Sequence, residues 1–69
     1  MVEVFKTNVS EESQSQAIVS TLSQQFPSFK INFDLEDCDN ILRVEANILD
    51  PIKIIELLHS NGYNCEILE

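Results

Sequence analysis

The chain has 69 residues, 43% of them apolar, and sets twelve carboxylates against Lys6, Lys30, Arg43 and Lys53 for a formal net charge of −8. That length makes one domain, 1–69, and the apolar share is enough for one core and argues against disorder. The charge opposes nucleic acid and anionic membrane, which need Lys/Arg clusters to neutralise phosphate, and leaves cations or a basic protein surface as partners.

Two cysteines, Cys38 and Cys65, are too few for a disulfide framework. The chain opens without a charged-plus-apolar leader, and no apolar run approaches the ~20 residues that span a bilayer. The expectation is a cytoplasmic protein with reduced thiols.

Val2 to Thr7 alternates as a first strand, with Val2 and Val4 on one face and Glu3 and Phe5 on the other. Asn8-Val9-Ser10-Glu11-Glu12 opens a helix. Ser10 or Asn8 can cap it, and the two glutamates suit the positive end of its dipole. Ala17, Ile18, Leu22 and Phe26 recur at helical spacing as a buried stripe, and Pro27 stops the helix.

Phe29, Ile31, Phe33 and Leu35 alternate with polar residues as a second strand. Asp37-Cys38-Asp39-Asn40 is turn chemistry, and Ile41 to Ala46 returns as a third strand with Leu42, Val44 and Ala46 facing the core. Asp50-Pro51 opens a second helix with an apolar face of Ile54, Ile55, Leu57 and Leu58. Asn61-Gly62 ends it, the glycine taking the left-handed position. Tyr63 to Leu68 is a short last strand with Cys65 and Ile67 inward.

The order β-α-β-β-α-β with right-handed crossovers gives an α+β, ferredoxin-like sandwich. Its four-stranded antiparallel sheet has the order 4-1-3-2, with both helices on one face. Strand directions then bring the loop at Thr7–Glu11, the turn at Glu36–Asn40 and the turn at Ser60–Asn64 to one end.

The segment Gly62-Tyr63-Asn64-Cys65-Glu66-Ile67-Leu68 resembles the closing strand of the heavy-metal-associated domain of copper chaperones and metal-transporting ATPases. Ile18, Leu22, Phe29 and the helix Ile54–His59 fall where that family has core residues, so the resemblance covers nearly the whole chain. The family's activity rests on Met-X-Cys-X-X-Cys in the first loop, two thiolates converging on a soft ion. The loop here reads Lys6-Thr7-Asn8-Val9-Ser10-Glu11-Glu12-Ser13-Gln14. Anchored on the strand, Val9 and Glu12 fall at the cysteine positions. Anchored on the helix, Glu11 and Gln14 do. Neither register offers sulfur, so no metal ligand and no cofactor is carried over.

Cys65 sits where a small buried residue is expected and reads as an inert thiol. Cys38 lies in an exposed, acid-rich turn whose negative field blunts its reactivity. His59 suits the C-terminal end of the second helix. Asp34, Glu36, Asp37 and Asp39 form the densest charge cluster. Their spacing does not match the calcium loop, and they read as a solvated turn or a patch for a basic partner. Phe5 and Ile41 are expected on the sheet face without helices, where they could seed a partner contact or a dimer.

Other uses of the fold fare worse. Acylphosphatase-like chemistry needs a glycine-rich first loop with an arginine, and the stretch Asn8 to Glu12 has neither. An RNA-recognition motif needs aromatics on its third strand, and Ile41-Leu42-Arg43-Val44-Glu45 has none. No pair of groups makes an acid–base dyad.

The reading is a non-catalytic interaction module, a monomer or weak homodimer. It docks through the loops carrying Asn8, Val9, Ser10, Glu11, Glu12, Glu36, Asp37, Cys38 and Asp39, or through Phe5 and Ile41. The alternative is a metal carrier or sensor built on Cys38 with its acidic neighbours.

Overall fold

Residues 1–68 are described by a computed structural model. The elements run β1 (Val2–Thr7), α1 (Glu12–Gln25), β2 (Lys30–Asp34), β3 (Ile41–Glu45), α2 (Pro51–Ser60) and β4 (Cys65–Ile67). The strands form one antiparallel sheet in the order β2-β3-β1-β4, the ferredoxin-like arrangement expected from the element order.

The register decides which side chains meet. Phe5 pairs with Leu42, Ile31 with Val44, Phe33 with Leu42 and Thr7 with Cys65, all toward the helices. Ile18 and Leu22 of α1 and Ile54, Leu57 and Leu58 of α2 cover them, and Val9 and Leu49 close the core from the loops.

The expected orientation of the first strand is inverted. Phe5 is fully buried and Thr7 nearly so, whereas Val2 is about half exposed and Val4 faces the open side opposite Arg43. Strand side chains alternate strictly, so choosing one face for Phe5 fixes the whole strand. A phenyl ring carries more apolar area than either valine, and Thr7 finds hydrogen bonds inside. Phe5 therefore contributes nothing to an open-face contact.

The first helix differs in two details. Its N-cap is Glu11, not Ser10 or Asn8. Gln14 folds back so that its Oε1 accepts the Glu11 N–H at 3.2 Å and the Ser10 N–H at 3.3 Å. Its buried stripe is Ser15, Ile18 and Leu22, while Ala17 faces solvent. Ser15 tolerates burial because its hydroxyl donates to the Glu12 carbonyl at 2.7 Å. Past the helix, Phe26 and Phe29 stack across Pro27 with centroids 4.6 Å apart.

The second helix follows expectation at both ends. Asp50 Oδ1 accepts the Ile52 N–H at 3.1 Å, and Pro51 occupies the first turn. Gly62 adopts φ +89°, and the Tyr63 N–H returns to the Leu58 carbonyl at 2.9 Å. The last strand is shorter than expected, because the Asn64 N–H is taken by a side chain from another loop. Ile67 faces the helix side opposite Phe5 but stays 40% exposed at the sheet edge.

Candidate functional site

Three loops meet at one end of the sheet, and hydrogen bonds fasten them. Thr7 donates its hydroxyl to the Asn40 carbonyl at 2.7 Å and accepts the Val9 N–H at 3.2 Å. The Thr7 N–H donates to the Asp39 carbonyl, also at 3.2 Å. Asn8 Oδ1 accepts the Asn64 N–H at 2.7 Å, linking the first loop to the turn after α2. Each bond spans more than thirty residues of chain, apart from the local Val9 contact. The end is therefore a braced surface rather than three independent loops.

This end collects carboxylates. Glu11, Glu12, Glu36 and Asp37 are exposed and Asp39 is half-buried. Among the described residues one cation answers them: Lys6 Nζ lies 3.8 Å from Asp39 Oδ1, an exposed contact worth little. Two acids also shape the hairpin. Asp34 Oδ1 accepts the Glu36 N–H at 3.1 Å, and Asp37 Oδ1 accepts the Asp39 N–H at 2.8 Å. These Asx turns hold the chain in its tight path, and Asn40 completes it at φ +48°. Turn geometry thus explains why acids occupy these positions, and their remaining oxygens face water.

Of the residues expected here, Asn8 and Ser10 are exposed, with Asn8 committed to bracing. Val9 is not available: it is fully buried in the core, because its side chain plugs the gap that the loop would otherwise leave over the sheet. Cys38 is exposed between Asp37 and Asp39, and the potential ligand atoms of the three lie within 4.8 Å of one another. Nothing in the residue pattern points to Thr7 as the brace. A strand-end threonine is ordinary until its partners are known.

Beside this end, a groove of about 460 Å³ is lined by Lys6, Thr7, Asn8, His59, Asn64, Cys65 and Glu66. Cys65 is the thiol in it. Burial, with Glu66 adding to the effect, pushes its thiol up to about 12. A thiol that holds its proton this firmly is a poor nucleophile at neutral pH. The groove therefore offers hydrogen-bonding groups, the Lys6 amine and the His59 imidazole among them, beside a thiol that stays protonated.

The open face of the sheet is the second surface. Ile41 lies on it as expected, opposite Lys6 and Asp34. Val2 and Val4 take the place expected for Phe5. No helix among the described residues is long and apolar enough to cross a membrane.

In comparisons with known proteins, no family model, no curated protein and no solved structure matches the chain.

Proposed function

We propose that this protein is a non-catalytic interaction module, a divergent relative of heavy-metal-associated domains without their thiolate pair, that docks its acidic loop end on a basic protein surface. The observation that carries the reading is the braced end itself: five carboxylates on two loops joined through Thr7, with Lys6 as their one close cation. A fixed patch of one sign raises the encounter rate with an oppositely charged partner and rejects nucleic acid. The groove nearby keeps its one thiol, Cys65, protonated, which supports binding over thiol chemistry there. The exposed Cys38 suits a reducing, cytoplasmic setting.

Calorimetric titration with a lysine-rich peptide tests this. Binding is expected at low ionic strength, weakened by added salt and weakened several-fold by the double variant Asp37→Asn/Asp39→Asn. Glu56→Gln on α2 is expected to change it little. Equal affinity for the double variant and the parent protein contradicts the proposal.

The cluster of Asp37, Cys38 and Asp39 favours a second reading, a metal carrier or sensor. Carboxylates are hard donors and one thiolate is soft, so zinc is the ion that tolerates both. A sub-micromolar zinc site lost on Cys38→Ser would establish it.

A further inference from the structure

The charges of this protein are segregated. The open face of the sheet carries Lys30, Asn32 and Asp34 from β2, Ile41, Arg43 and Glu45 from β3, Val2, Val4 and Lys6 from β1, and Glu66 from β4. Leu68 continues the last strand on this side, its N–H donating to the Val4 carbonyl at 2.9 Å. Three cations therefore stand among three carboxylates, and the face is neutral. Elsewhere among the described residues, Lys53 stands against Glu3, Glu11, Glu12, Glu36, Asp37, Asp39, Asp50 and Glu56, and Lys6 reaches to Asp39 at 3.8 Å from the edge of the face. Essentially all of the net charge lies off the open face.

The face is also ordered within. In the strand register Lys30 lies opposite Glu45 and Lys6 opposite Glu66, opposite charges on neighbouring strands. Arg43 and Glu45 approach to 3.8 Å. Val2, Val4, Ile41 and Leu68 form a neighbouring apolar group, with Val2 and Leu68 among the exposed large apolar side chains. Two copies of so acidic a molecule repel through their acidic loop ends. The open face lets two copies approach without a net excess of like charge, and contact there removes Val2 and Leu68 from water.

We infer that the open sheet face is a self-association surface on which a second copy of this chain docks face to face. A twofold axis through the sheet places its apolar group against its own copy and leaves the acidic loop ends free. The contact is small. Four strands about 4.8 Å apart and about 17 Å long give roughly 300 Å² per copy, below the ~1,000 Å² total of a stable interface. The association is therefore weak and concentration-dependent. It is independent of the docking proposed for the acidic end.

Sedimentation equilibrium over a concentration series up to about 1 mM, in buffer with enough salt to screen the net charge, tests it. The weight-average mass is expected to rise above 7.9 kDa toward twice that value. Arg43→Glu, which makes the face negative at an exposed position, is expected to return it to 7.9 kDa with an unchanged melting curve. Val4→Asp is expected to do the same. A parent protein that stays at 7.9 kDa throughout overturns the inference. So does association that survives both variants, or that is lost instead on Asp37→Asn/Asp39→Asn.

Discussion

Thr7 and Asn40 join the first strand to the hairpin turn through one hydrogen bond, 2.7 Å from the threonine hydroxyl to the asparagine carbonyl. The same hydroxyl oxygen receives the buried Val9 N–H, so one small side chain serves two loops. Thr7→Val keeps the shape and removes both partners. It is expected to lower unfolding free energy by about 1–3 kcal/mol, since a buried N–H and carbonyl lose their partner. Chemical denaturation reads this as a lower midpoint at unchanged slope, and an unchanged midpoint contradicts it.

Asn40 at φ +48° holds the turn in the left-handed region. Asn40→Gly is expected to leave stability within about 1 kcal/mol, since glycine accepts that conformation freely. Asn40→Val places a β-branched residue there and is expected to cost more. Paired thermal melts of the two variants decide it. A valine variant as stable as the glycine variant contradicts the account.

The inverted first strand gives a direct contrast. Phe5→Ala empties a fully buried site and is expected to cost about 3–5 kcal/mol, a large share of a small domain's stability. Val2→Thr changes a residue left about half exposed and is expected to cost under about 1 kcal/mol. Denaturation midpoints of the two variants check this, and a reversed order of costs returns Phe5 to the open face.

The orientation of that strand also shows where sequence stops deciding. Elsewhere apolar and polar residues alternate clearly, as in Phe29 to Leu35, or a capping aspartate and a glycine bracket the element, as in α2. Order, topology and helix ends were readable there. In Val2 to Thr7 both faces carry apolar residues, so the pattern fits either orientation, and only pairing with Leu42 selects one. The same holds for the site. Turn acids were readable from the run Asp37 to Asn40. The bracing by Thr7 and Asn8, the burial of Val9 and the pooling of cations on one face depend on contacts between distant segments.

Cys65 predicts a pH dependence. Its thiol is raised from the usual 9.0 to about 12 by burial, so between these values the unfolded chain loses a proton that the folded chain keeps. Stability from this group is full below about pH 9 and falls as pH rises, by about 1 kcal/mol per unit. The stability advantage of the parent protein over Cys65→Ala is therefore expected to shrink from pH 8 to pH 11. Urea titrations at both values measure it, and an advantage constant with pH contradicts it.

The acidic end is best tested by mapping amide shifts of the isotope-labelled protein as a lysine-rich peptide is added at low salt. The account predicts shifts concentrated at Asn8 to Glu12 and Glu36 to Asn40, fading as salt is raised. Shifts confined to the helices or the open face, or a response indifferent to salt, would contradict it.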